Sequence, residues 1–252
     1  MSELLSQQAP AVSIVIPAKN EADNIRPLIA EIQAAMDDRY SYELIYIDDG
    51  STDTTWDELQ ALRAGGFDRL KLIRHQQSVG QSLAIISGAW VARGEWLVVL
   101  DADGQNDPAD IPGMLDAVQA ARAQDSRVWG VIGHRVNRRD DWVKRLSSKV
   151  ANGFRDCMLR DGIPDTGCGL KAVLRERYLR LPSFNHMHRY IPTLIQAQGG
   201  IMQVHPVNHR PRMAGTSNYG VWNRLWVGLV DVLGVWWLKR RAKVVQIRDY
   251  QA

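Results

Sequence analysis

The chain has almost no cysteine: Cys157 and Cys168 are the two in 252 residues. Their spacing matches no metal-binding pattern, and one bridge would add little to a domain of this length, so a reduced, cytosolic compartment is expected. It also lacks an uninterrupted apolar run long enough to cross a bilayer. The nearest is VWNRLWVGLVDVLGVWWL, 221–238, which Arg224 and Asp231 interrupt. The opening residues, MSELLSQQAPAVSIVIP, have no basic segment ahead of an apolar one, and no signal peptide is expected. Neither G-x-G-x-x-G nor G-x-x-x-x-G-K-[ST] occurs, so the dinucleotide and P-loop modes of holding phosphate are excluded. Repeats and low-complexity segments are absent too.

What is present is a globular composition, 45% hydrophobic and 23% charged, long enough for one large α/β domain with or without an appendage. The net charge of +3 hides an asymmetry. Residues 135–160 carry eight Lys/Arg against three Asp. From 205 to 224 stand Arg210, Arg212 and Arg224 with no acid, and KRRAK follows at 239–243. A basic second half suits a phosphate-bearing partner or an anionic membrane surface, and equally a solvated basic face.

VSIVIP (12–17), ELIYIDD (43–49), LKLIRH (70–75) and WLVVLDAD (96–103) are short and rich in Val, Ile and Leu, the pattern of strands buried on both faces of a parallel sheet. Between the first two, Ile25, Leu28, Ile29, Ile32 and Met36 recur at helical spacing. TDTTWDELQALR and GQSLAIISGAWVA fill the next two gaps with helical patterns. The βαβαβ order predicts a doubly wound sheet with right-handed crossovers, whose ligands bind beyond the carboxyl ends of the strands. VWGVIGHR (128–135) reads as a further strand, 140–160 as a basic helix, and DTGCGLKAVLRERYLRL as a turn, a strand and a helix. IMQVHPVNHRPR ends as a strand running into the loop MAGTSNYG.

The strand ends carry PAKNEADN, DDGSTD and DADGQND, three acidic or amide-rich segments on one rim. Such crowding of negative charge is costly unless a cation or a donor-rich ligand neutralises it. Asp23, Asp53 and Asp110 read as helix caps, which leaves Asp48, Asp49, Asp101, Asp103 and Gln105. Asp101 and Asp103, at alternate positions, face one side if the chain stays extended, and Gln105 joins them after a turn at Gly104. Three oxygens in a short arc suit a hard divalent cation, Mg²⁺ or Mn²⁺, with other positions open to water and phosphate. Such a metal would act as a Lewis acid on a departing diphosphate.

The segments SIVIPAKNEADNI, IDDGSTDTT, GQSLAIISGAWVARGEWLVVLDADGQNDP, DTGCGLKA and RMAGTSNY follow one another in an order that resembles glycosyltransferase family 2. Within it, residues 12–220 are similar to the polyprenyl-phosphate sugar transferases typified by dolichyl-phosphate mannosyltransferase. The resemblance implies a GT-A type, Rossmann-like doubly wound sheet, mixed but mostly parallel. It further implies a UDP- or GDP-sugar donor, a divalent metal, a polyprenyl-phosphate acceptor and inversion at the anomeric carbon. Carried over by position, Pro17, Ala18 and Glu21 would border the base and ribose, and Asp48 and Asp49 would belong to the same nucleotide pocket. Asp101, Asp103 and Gln105 match the metal-and-diphosphate motif. Arg135 would lie near the donor sugar and its phosphates. Arg212 and Ser217 match a loop that meets the phosphates of donor and lipid. Many relatives have Lys after that Ser; here it is Asn218, so Lys171 or Arg210 is expected to compensate.

The chemistry agrees independently. A phosphate monoester, with a second pKa of about 6, is already an anionic nucleophile at neutral pH and needs no general base. Asp165 is a lone candidate base, better read as orienting the sugar or shaping the PDTG turn. Arg135, Arg210 and Arg212 suit the remaining task, holding two phosphate groups together with planar forks. A hydroxyl-directed family 2 transferase would be expected to carry a Glu-Asp pair in its second half, and a nucleotidyltransferase would release pyrophosphate; both remain rival expectations.

Trp222, Trp226, Trp236 and Trp237 followed by KRRAK fit an in-plane membrane helix, an oligomer contact or a helix packed on the domain. The expected organisation is therefore a catalytic domain, 1–220, and an amphipathic extension, 221–252. Association with the inner face of the cell membrane would be peripheral, a homo-oligomer is a further possibility, and nucleic acid is not an expected partner. His186, His188, His205 and His209 lack the cysteines of a zinc site and read as acceptor-side or surface residues.

Overall fold

A computed structural model of the chain describes residues 9–136, 153, 155–211 and 221–244, with the backbone alone given for 221–227. The β-branched runs form strands because their side chains can be buried on both faces. The elements are β1 (Val12–Ala18), α1 (Ala22–Met36), β2 (Tyr42–Asp48), α2 (Thr55–Ala64), β3 (Leu70–Arg74), α3 (Gln81–Val91), β4 (Trp96–Val99), α4 (Asp110–Gln124), β5 (Val128–Arg135), β6 (Lys171–Leu174), α5 (Arg175–Tyr178), α6 (Ile191–Ala197), β7 (Ile201–Val207) and α7 (Val221–Arg241). All of β2 and β4 is buried, as the unbroken apolar runs predict. The five apolar residues spaced along α1 are all buried in the core.

Among the described residues the sheet has seven strands, in the order β3-β2-β1-β4-β6-β5-β7. β1 pairs in parallel with β2 and β4, β2 with β3, and β5 with β7. β6 alone runs antiparallel, between β4 and β5. This reversed strand delivers the segment preceding it, 163–170, to the rim where β1, β2 and β4 end.

The expected strand 96–103 stops at Val99. Leu100 N–H still donates to Val15 O (3.1 Å), but Ala102 and Asp103 lie in a turn and Gly104 takes φ +72°. Asp101 and Asp103 are thus arranged by a turn and not by strand alternation. Of the helix expected over 140–160, residues 153 and 155–159 are helical, and 140–152 and 154 lie outside the described residues.

The C-terminal helix is packed on the domain along one side. Val232 and Val235 are buried, and α7 lies against α6. His186 Nδ1 is 3.1 Å from Asp231 Oδ2, and Lys239 Nζ donates to Leu159 O. Leu229, Val230, Leu233 and Trp237 face outward. Trp222, Trp226 and Arg224 have no described side chains.

Candidate active site

The loops after β1 and β2 are laced together. Asn20, in the left-handed region at φ +56°, accepts the Thr52 N–H (2.8 Å) and donates its own N–H to Ser51 Oγ (3.0 Å). Glu21 N–H donates to Thr55 Oγ1 (2.9 Å), and its carboxylate accepts from Asn24 Nδ2 (2.5 Å). Ala18 O accepts the Asp49 N–H at 2.9 Å, and Pro17 is its neighbour at the same strand end. Asp48 is fully buried; it accepts the Ser51 N–H (2.9 Å) and lies 3.1 Å from Arg74 Nε, so it shapes the turn. Asp49 accepts from Ser78 Oγ (2.7 Å) and from the N–H groups of Val79 and Gly80 (both 2.9 Å), and it pairs with His75 Nδ1 (2.8 Å). Burial works to raise its pKa, but His75 and the three donors hold it below the ordinary carboxylate range. Of the expected caps, Asp53 accepts the Thr55 N–H at the start of α2 (3.0 Å), while Asp110 accepts the Asn208 N–H (2.7 Å) across the fold.

Beyond β4, Asp101 Oδ1 accepts from Gln81 Nε2 (2.7 Å) and Oδ2 from Asn106 Nδ2 (3.4 Å). Burial and the neighbouring Asp103 carboxylate push the Asp101 pKa up, against Lys171, Asn106 and Gln81. Asp103 Oδ1 accepts the Gln105 N–H (3.1 Å), closing the turn. Two crowded carboxylates braced by neutral amides fit a divalent cation, which would relieve their repulsion. Among the described residues no group of three or more His, Cys, Asp or Glu could hold a metal by itself. Asp101 and Asp103, with the Gln105 amide oxygen, would leave most of a cation's coordination to water and phosphate.

Asn106, read from sequence as a turn residue with Asp107 and Pro108, is instead 4% exposed and turned toward Asp101. Gly169 also borders this carboxylate. A Cβ there would lie 2.5 Å from Asp101 Cγ and 2.9 Å from Asn106 Nδ2, so no larger residue fits. Gln81, Asn106 and Gly169 escaped the sequence reading. The signal for Gln81 was available, because it follows a glycine at the start of the helix leading into β4.

Arg135 and Asp165 come together as a two-pronged ion pair, Nε–Oδ2 and Nη2–Oδ1 both 2.7 Å. Burial opposes the Arg135 charge, yet Asp165 holds the guanidinium above its usual range. Lys171 is buried beneath them, with Nζ donating to Cys168 O; burial lowers its pKa against the pull of Cys168, Asp101 and Asp165. Its placement makes it internal support for the acidic rim, not an exposed phosphate ligand. Arg210 is likewise engaged: it forks onto Glu31 of α1 (3.1 and 2.7 Å) and donates to Asn106 O (3.2 Å). It joins α1 to the loop after Asp103, and Asn218, for which it was expected to compensate, lies outside the described residues. Arg212 and Ser217 lie outside the described residues.

The four histidines read as acceptor-side or surface residues are partly buried, and three of them meet distant parts of the fold. His186 meets Asp231, and the partly buried His188 has Nδ1 2.7 Å from Ser82 Oγ. His209 pairs as a backbone bridge with Asn106.

A family model described as Glycosyl transferase family 2 matches residues 13–180. Over 237 residues the chain is 30% identical to dodecaprenyl-phosphate galacturonate synthase of Rhizobium johnstonii, covering 92% of this chain and 68% of that protein. Over 214 residues it is 32% identical to undecaprenyl-phosphate 4-deoxy-4-formamido-L-arabinose transferase of Edwardsiella ictaluri, covering 83% and 63%. The chain therefore spans about two thirds of the length of these relatives. Mannosyl-3-phosphoglycerate synthase from Rubrobacter xylanophilus superposes with a TM-score of 0.69 at 18% identity, covering 98% of this chain and 79% of that one. Glucosyl-3-phosphoglycerate synthase from Mycobacterium tuberculosis, in complex with Mn²⁺, UDP-glucose and phosphoglyceric acid, gives 0.66 at 18% identity, covering 91% and 79%. At such identities the likeness is one of fold, and that fold is the GT-A type.

Proposed function

Because the chain belongs to glycosyl transferase family 2, we propose that it moves a sugar from a UDP- or GDP-sugar to a polyprenyl phosphate, with inversion at the anomeric carbon. The observation that carries this reading is the braced Asp101–Asp103 pair at the carboxyl end of a central strand. Its support in kind comes from relatives named as polyprenyl-phosphate sugar transferases.

Asp101, Asp103 and Gln105 would hold Mg²⁺ or Mn²⁺, which when bound supplies positive charge to the departing nucleoside diphosphate. Gln81 and Asn106 keep the Asp101 oxygens aimed while Gly169 leaves them room. Pro17, Ala18, Glu21 and Asp49 border the nucleoside side of the rim. Asp165 fixes the Arg135 fork beside this rim. The acceptor phosphate attacks in line without a general base, and Arg212 and Ser217 are assigned to hold it.

The catalytic unit is assigned to 1–220, and 221–252 to contact with the inner face of the membrane. The outward Leu229, Val230, Leu233 and Trp237 support a peripheral contact, as do Arg240 over Trp236 (4.2 Å) and Arg241 near Trp237 (5.9 Å). Among the described residues no helix is long and apolar enough to cross a membrane.

The test is incubation with a panel of UDP- and GDP-sugars, Mg²⁺ or Mn²⁺ and undecaprenyl phosphate, read by mass spectrometry. A glycosyl phospholipid and a free nucleoside diphosphate are expected, and Asp103→Ala should remove both. Release of pyrophosphate, or transfer only to sugar hydroxyls, would sink the assignment.

A further inference from the structure

His186 and His188 lie between the C-terminal helix and the acidic rim, and the reaction above gives them no role. They flank and enter a short 3₁₀ turn, Met187–Arg189, with His186 in the left-handed region at φ +64°. On one side His186 Nδ1 meets Asp231 of α7 at 3.1 Å. On the other, His188 grips Ser82 twice: Nδ1 to Oγ at 2.7 Å, and its own N–H donating to the same oxygen at 3.1 Å. Ser82 is fully buried in the first turn of α3. The preceding residue is Gln81, whose amide donates to Asp101 Oδ1 at 2.7 Å.

The first turn of α3 needs such a hold. Its N-cap is Gly80, which has no side chain to cap the helix and takes φ +91°. The direction of the turn, and hence of Gln81, therefore rests on tertiary contacts. The Ser82–His188 pair supplies one, its serine end fully buried and its histidine end partly so. Burial pushes the His188 imidazole well below its ordinary range, which favours the neutral ring.

We propose that His188 is a positioning residue of the donor site: through Ser82 it fixes the first turn of α3, so that Gln81 holds Asp101 for the metal. His186 and Asp231 extend the same support to α7, which makes the C-terminal helix part of the donor site's framework as well as a surface. This rests on the donor reading above, in which Asp101 binds the cation.

The test is Mn²⁺ affinity, measured by electron paramagnetic resonance on the full chain with UDP or GDP, alongside the thermal midpoint. Gln81→Ala and Ser82→Ala should each weaken Mn²⁺ binding about tenfold, the size of one lost hydrogen bond. The double variant should be no weaker than Gln81→Ala alone, because both act through one contact. His188→Asn, which places an amide near the lost Nδ1, should bind within about threefold of the wild type. Asp231→Ala should weaken binding severalfold, and not at all further in the Gln81→Ala background. A Ser82→Ala effect that adds in full to that of Gln81→Ala, or one confined to the thermal midpoint, overturns the proposal while the donor reading stands. A wild-type chain that binds no Mn²⁺ with either nucleotide overturns both.

Discussion

Arg135 at the end of β5 and Asp165 in the segment before β6 meet through two parallel contacts of 2.7 Å, with side chains 15% and 12% exposed. The forked geometry suits guanidinium and carboxylate, and the strand inserted between β4 and β5 is what brings them together. A guanidinium with so little access to water, held by one carboxylate, depends strongly on that partner.

Removing Asp165 leaves Arg135 without its carboxylate partner. Asp165→Ala should therefore cost about 3–5 kcal/mol of stability, read by urea unfolding. Arg135→Lys keeps the charge but loses the fork, and should recover only part of the wild-type value. A loss under about 1 kcal/mol for Asp165→Ala would mean that the pair is no more than a surface contact.

Gly169→Ala puts a methyl group where the Asp101 carboxylate now sits. Overpacking of this kind costs about 1–3 kcal/mol, but the specific effect should fall on Asp101. Calorimetric titration with Mn²⁺ and nucleoside diphosphate should show binding weakened at least tenfold. Unchanged binding would show that the loop moves and Asp101 does not.

The pH dependence of stability should register Asp49. Its folded pKa lies below the unfolded value of about 4, so between the two the unfolded chain binds more protons. The stabilisation is complete above the unfolded value and is lost as pH falls through the folded one. The stability gap between wild type and Asp49→Asn should therefore be flat above about pH 5 and shrink below 4. A gap that does not change with pH would place the effect in lost hydrogen bonds alone.

The outward side of α7 can be separated from its packed side. Leu233 and Trp237 are 50% and 55% exposed, so Leu233→Glu with Trp237→Glu should leave the thermal midpoint within a few degrees of wild type. The same variant should lose co-sedimentation with anionic vesicles. If vesicle binding persists and sedimentation velocity shows a smaller particle, the face serves self-association instead.

How much of this was legible beforehand differs from residue to residue. The strand runs from Val12, Glu43, Leu70 and Trp96 and the helical spacing of Ile25 to Met36 were readable, because burial on two faces or one leaves a periodic trace in composition. The acidic rim was readable as well, since the carboxyl ends of parallel strands share one edge. Asp110 was expected as a helix cap, but it instead bonds the backbone of Asn208, a distant partner that local propensity does not see.

Sequence by itself therefore determined the fold class, the family and the location of the carboxylates at the strand ends. Tertiary structure alone decided their partners: Gln81, Asn106 and Gly169 around Asp101, Asp165 on Arg135, and Glu31 on Arg210. The reason is physical. Periodicity records only whether a side chain meets water or core, whereas the charge and hydrogen-bond state of a buried group is set by atoms within a few ångströms, brought there by the reversed β6 and by packing between distant elements.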